Sequence, residues 1–108
     1  MQLIRRKFVD WDKTGKIIQL LREDNIDLRR CVCGALKKDK SECSTSCDKC
    51  KFEMDKHISR KELAEVFGTT ENVIFNWENG KTPVDYENLL FYAQLSKLEL
   101  KDIIIFID

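Results

Sequence analysis

Five cysteines fall within twenty positions, at Cys31, Cys33, Cys43, Cys47 and Cys50, with the spacing C-x-C-x9-C-x3-C-x2-C. Thiolates are soft, charged ligands, and four of them complete a tetrahedral zinc site. The short C-x3-C and C-x2-C steps bring sulfurs together from one turn or helix start. Lys37, Lys38, Lys40, Lys49 and Lys51 offset the negative charge that such a centre carries. Five candidates exceed four places. The expected set is Cys33, Cys43, Cys47 and Cys50, because Gly34 beside Cys33 helps the chain turn around a metal, while Cys31 can pack with Val32 against the first helix. Cys31 and Cys33 could also alternate as ligands. His57, the single histidine, lies beyond Cys50 and could replace a sulfur, although it sits just before a helix start that already fixes its position. Iron or another thiophilic metal would suit the same four thiolates.

A closed four-thiolate centre has no open position for water and so does no hydrolysis. Its expected role is structural: the metal replaces a hydrophobic core for a segment, residues 28–56, that is too short to fold alone. A sharper alternative is a zinc or redox sensor, in which metal loss or thiol oxidation disorders the loop and shifts the flanking helices. Nothing else in the chain reads as an enzyme. There is no Gly-rich phosphate loop, no metal motif with an open place, and no histidine but His57 to serve a Ser or Cys nucleophile. No small-molecule substrate is evident.

The elements that must position these residues fit one domain over residues 1–108, since a chain this short cannot build two cores of ordinary size. Charged residues make up 35% and apolar residues 43%, a globular balance that excludes a disordered chain. Formal net charge is zero, which argues against a polybasic tail wrapping nucleic acid or coating a membrane. The distribution is uneven, however, at +3 over residues 1–30, +1 over 31–57, and −2 over each of 58–80 and 81–108. No apolar run reaches the roughly 18 residues of a membrane span, and the start lacks the apolar stretch of a signal peptide. A cytoplasmic protein is expected, with no membrane partner and with thiols kept reduced for metal.

Periodicity then places the elements. Residues 1–12 alternate around Leu3, Ile4, Phe8, Val9 and Trp11 and read as a short strand or extended arm. Thr14 stands where a cap belongs, and Ile17, Leu20 and Leu21 mark a first helix running to about Asn25. Leu28, Val32, Ala35 and Leu36 could form a short helix before the cysteines take over. Ser59 and Glu62 make a capping box, with Ile58 facing Leu63 as a hydrophobic staple, at the start of the next helix. Leu63, Ala64 and Phe67 line its inner face and Gly68 stops it. Thr70 caps a third helix with Val73, Ile74 and Trp77 inward, ended by Gly80. Thr82-Pro83 opens a fourth, with Tyr86, Leu89, Leu90 and Ala93 on one face, and a fifth starts near Leu98. The tail Ile103 to Ile107 is apolar on every side. It must be partly covered, by a short β-pair with the N-terminal strand or in a dimer seam.

Two short helices joined at Gly68, the second opening on Thr70, have the size and spacing of a helix-turn-helix. The stretch ISRKELAEVFGTTENVIFNWENGKTPVDYENLLFYAQLSKLELKDII, residues 58–104, resembles the Cro/repressor-type (XRE) helix-turn-helix domains, and Gly15 to Asn25 resembles their first helix. Trp77-Glu78-Asn79-Gly80-Lys81, following Lys61-Glu62-Leu63-Ala64, is the most specific part. The resemblance implies an all-α, five-helix domain, here with the four-cysteine zinc insertion between its first and second helices. It further implies binding of double-stranded DNA as a homodimer, and transcriptional regulation, most simply repression.

Carried over by position, Thr70, Glu71, Asn72, Phe75 and Asn76 would reach base edges. Asn can pair with adenine, Glu can accept from cytosine N4, and Phe75 could touch a thymine methyl. Arg60, Lys61, Asn79 and Lys81 would hold phosphates. One departure from the pattern is that the third helix has no Lys or Arg and carries Glu71 and Glu78. Electrostatic affinity there should be low, so the protein must recruit Arg5, Arg6, Lys7, Arg29 or Arg30, dimerise, or bind weakly. The alternative of another class is a protein-binding adaptor or antirepressor on the same scaffold, using Phe75, the zinc loop and the apolar tail. Phe75 falls off the buried face and should be exposed.

Overall fold

A computed structural model describes residues 8–36 and 58–107. Among the described residues there are six helices and no strand: α1 (Trp11–Asp24), α2 (Ile26–Leu36), α3 (Arg60–Phe67), α4 (Glu71–Glu78), α5 (Tyr86–Ser96) and α6 (Leu100–Ile103). Residues 1–7, 37–57 and 108 lie outside them.

The first helix begins earlier than expected. Asp10 is its cap, accepting a hydrogen bond from the Lys13 amide at 3.1 Å, so Trp11 and Asp12 belong to the helix and not to an arm. Thr14, expected as the cap, is buried in the first turns, and its Oγ1 accepts from the Ile105 amide at 3.0 Å. Leu20 is half exposed, and the inward face is Thr14, Gly15, Ile18, Leu21 and Arg22. Gly15 decides this rotation. A Cβ placed there would lie 2.6 Å from the Glu78 carbonyl oxygen and 2.7 Å from that of Trp77, so α1 and α4 meet backbone to backbone.

Among the described residues there are six helices where five were expected, Ile26–Leu36 being a full helix. Asn25 does two jobs: it ends α1 in extended backbone, and its side-chain oxygen accepts from the Leu28 amide at 2.9 Å to start α2. Leu28 and Val32, four apart, are fully buried. Gly34 is also buried within α2, so it continues the helix where a turn around a metal was expected.

The α3 start is as expected. Ser59 Oγ accepts from the Glu62 amide and Glu62 Oε1 from the Ser59 amide, both at 3.1 Å. Gly68, at φ 68°, closes the helix in the left-handed region, and Thr70 Oγ1 accepts from the Val73 amide to cap α4. The fourth predicted helix starts later than Thr82-Pro83. Val84 is buried ahead of the helix, and Asp85 caps α5 through the Asn88 amide. Its buried set is Leu89, Tyr92, Ala93, Leu95 and Ser96, whereas Tyr86 and Leu90 face outward.

Ile18, Leu28, Leu63, Ile74, Tyr92 and Ile103 are fully buried, so every helix contributes to one core. Phe67 anchors its aromatic part, with ring centroids 4.6 Å from Tyr92, 4.7 Å from Phe91 and 6.0 Å from Trp77. The chain ends are tied by one antiparallel bridge between Val9 and Phe106. The Asp10 amide donates to the Ile105 carbonyl (2.7 Å) and the Ile107 amide to that of Phe8 (2.8 Å). The apolar tail is thus covered at Ile103, half-covered at Ile104 and Ile105, and exposed at Phe106 and Ile107. No helix among the described residues is long and apolar enough to cross a membrane.

Candidate nucleic-acid interface

Helix α4 has two unlike sides. Ile74, Trp77 and Glu78 are buried against the body, and Thr70, Glu71, Asn72 and Phe75 are exposed. Arg60, Thr70, Glu71, Asn72 and Phe75 line one open depression of about 490 Å³. Four of the five residues expected to read bases are therefore together, with Arg60 beside them. Asn76 is half-buried and does not line the depression, and Lys61, exposed on α3, does not line it either.

Phe75 is exposed, as its position predicts, but it is not bare. The Arg60 guanidinium lies over its ring at 5.2 Å from the centroid and the Lys81 ammonium at 5.1 Å. Both are within cation–π range. Asn79 is exposed and donates from Nδ2 to the Phe75 carbonyl at 2.8 Å, closing the end of α4. Gly80, at φ 70°, then turns the chain so that Lys81 returns toward Phe75, with the Lys81 amide bonded to the Asn76 carbonyl at 2.9 Å.

The expectation that Glu78 weakens an anion-binding helix is corrected. Its side chain is fully buried. Arg22 donates to it from Nε at 2.6 Å and from Nη2 at 3.0 Å, and Arg60 donates from Nε at 2.9 Å. Arg22 also donates from Nη1 to the Ile58 carbonyl at 2.8 Å. A bidentate pair inside the core joins α1 to α4, and Arg60 extends it to the surface. With Glu78 buried between two guanidiniums, Glu71 is the only acid of α4 that faces outward. The helical register places each partner, but not their meeting: Glu78 falls four residues after Ile74, and Arg22 four after Ile18, both on apolar faces. Tyr92 lies within reach of this charge. Burial first, and the Glu78 carboxylate second, hold its phenol well above the ordinary range, with Arg22 opposing. Its hydroxyl has no hydrogen-bond partner among the described residues.

Of the expected metal ligands, Cys43, Cys47 and Cys50, like His57, lie outside the described residues. Cys33 is half-buried on α2. Cys31 is exposed, which corrects the expectation that it packs against the first helix; two residues apart on a helix, the thiols leave on different sides. Among the described residues no group of three or more His, Cys, Asp or Glu could hold a metal ion.

Residues 53–102 match the helix-turn-helix family model. The match spans α3, the Gly68 turn, α4, α5 and most of α6, and leaves α1 and α2 outside it. No curated protein and no solved structure matches the chain.

Proposed function

We propose that the chain is a sequence-specific DNA-binding regulator that lays α4 in the major groove of duplex DNA and acts as a repressor by occupying its site. One observation carries this reading. The α3–Gly68–α4 unit, inside the matched helix-turn-helix span, presents Thr70, Glu71, Asn72 and Phe75 outward while Ile74, Trp77 and Glu78 fasten α4 to the body. Asn72 and Asn76 suit adenine, Glu71 suits the cytosine amino group, and Thr70 serves either. Arg60, Lys61, Asn79 and Lys81 flank them as phosphate contacts that fix register. Arg60 uses only Nε for Glu78, which leaves its two terminal amino groups to donate to a phosphate.

The same reading makes the active species a homodimer on two inverted half-sites about one helical turn apart. It also makes the cysteine segment a structural zinc module, held by Cys33, Cys43, Cys47 and Cys50. α2 supports this arrangement, because it carries Cys33 and packs against both α3 and α5. Order in the zinc module would reach the reading unit through that packing.

The test is affinity for duplex DNA against salt, measured by fluorescence anisotropy. Arg60, Lys61 and Lys81 from two protomers neutralise about six phosphates. The log of the association constant should then fall against log salt with a slope of about −5. Lys61→Ala should reduce the slope by about two in the dimer. Binding that ignores salt would contradict the reading and point to a protein partner.

A further inference from the structure

A single exposed phenylalanine needs no explanation. Phe75 differs because it is held. Arg22, 4% exposed, fixes the buried Glu78; Glu78 fixes Arg60; and the Arg60 guanidinium lies over the Phe75 ring. Lys81 lies over the same ring, returned there by the left-handed Gly80. A chain of contacts thus runs from the core of α1 to one aromatic tip on the exposed side of α4. An aromatic ring has only two side-chain torsions, so a ring fixed this way loses little freedom when something covers it.

The cations also decide what can cover it. With two positive groups over the π-surface, the ring has little face left to stack on a planar base, and its free part is apolar edge. Duplex bases are stacked on one another in any case. Of the four, thymine alone shows an apolar group in the major groove, the 5-methyl. Neither cation is otherwise spent: Arg60 pairs only through Nε, and Lys81 has no ion pair among the described residues. Both remain able to donate to phosphates beside a methyl seated on Phe75.

We infer that Phe75 is a specificity-determining residue that reads the 5-methyl group of thymine, its ring held for that purpose by Arg60 and Lys81. The inference rests on the DNA-binding reading above and sharpens it to one base and one atom.

The test takes a duplex enriched by the full-length, metal-loaded protein from a randomised pool. It is resynthesised with deoxyuridine replacing thymidine one position at a time, which removes only the methyl. One position in each half-site should weaken wild-type binding about fourfold, the worth of one buried methyl. Phe75→Ala should bind the thymine and uracil duplexes equally, while Asn76→Ala should bind both more weakly and keep the fourfold ratio. Thermal unfolding of each variant confirms that it is folded, and the wild-type comparison needs no variant at all. Equal binding of every uracil duplex by the wild type would overturn the assignment of Phe75 and leave DNA binding intact. So would a thymine-to-uracil ratio that survives in Phe75→Ala, because a residue that only props the helix changes both affinities together. Failure to bind any duplex would overturn both readings.

Discussion

Removing Glu78 should cost the domain a large part of its stability, and removing its partner with it should restore most of the loss. Glu78 accepts three N–H bonds, two from Arg22 and one from Arg60. In Glu78→Leu, Arg60 can turn to solvent, since its side chain is already 31% exposed, but Arg22 is 4% exposed and keeps only the Ile58 carbonyl and the Glu23 carboxylate at 3.9 Å. An uncompensated buried charge costs about 3–5 kcal/mol. That is a large part of the roughly 5–15 kcal/mol that typically separates folded from unfolded chains. Arg22→Met leaves Glu78 paired with Arg60 and should cost less, about 2–3 kcal/mol, mainly in lost charged hydrogen bonds. The double variant holds two apolar side chains of similar volume where the ion pair stood. It should lie within about 2 kcal/mol of wild type, the remaining loss being the orphaned Ile58 carbonyl. Urea unfolding followed by the fluorescence of Trp11 and Trp77 gives all four stabilities and a favourable coupling of at least ~2 kcal/mol. Single variants that each cost under about 1 kcal/mol, or losses that simply add, would refute the reasoning.

Other outcomes follow from the same packing. Tyr92→Phe removes a buried hydroxyl without a partner, and should be neutral or stabilise by about 1 kcal/mol in thermal unfolding at pH 7. Because the folded-state phenol titrates above the unfolded one, wild-type stability should fall by about 1.4 kcal/mol per pH unit once pH rises past about 10, and Tyr92→Phe should reduce that slope by this amount. Gly15→Ala forces a Cβ against two carbonyl oxygens of α4 and should cost about 3 kcal/mol, whereas Gly68→Ala meets no atom within 4 Å and should cost about 1 kcal/mol for its left-handed φ alone, both read as denaturation midpoints. Elemental analysis of protein purified without added metal should find one zinc per chain; Cys33→Ser should lower it and the exposed Cys31→Ser should not.

What the sequence shows well is local. The capping box at Ser59, the stop at Gly68 and the cap at Thr70 each involve residues two to four apart, and all three stand in the structure as read. So does the exposure of Phe75, because the register of a short helix follows from its apolar partners. Three features were hidden, each for a physical reason. α2 was legible only as a possible short helix through Leu28, Val32, Ala35 and Leu36, because Asn25 ends one helix and starts the next and no break in composition marks the boundary. The outward turn of Leu20 in α1 and of Tyr86 and Leu90 in α5 was hidden too, because Gly15 permits a backbone contact and Val84 fills the core before α5 begins, while Leu21, Leu89 and Ala93 are buried as read. The Arg22–Glu78 pair joins residues 56 apart, and no local pattern says that two charges on apolar faces will meet. That pair changes the electrostatics of the candidate site most, since it removes an acid from the reading helix and fixes Arg60 beside Phe75.

The most direct test of DNA reading by α4 is selection from a randomised duplex pool at moderate salt, with metal-loaded and chelator-treated protein in parallel. Reading by α4 predicts enrichment by the loaded protein of one motif with two inverted half-sites centred about one helical turn apart, and loss of that enrichment in Asn72→Ala. A pool left unenriched by protein that is still folded would contradict it.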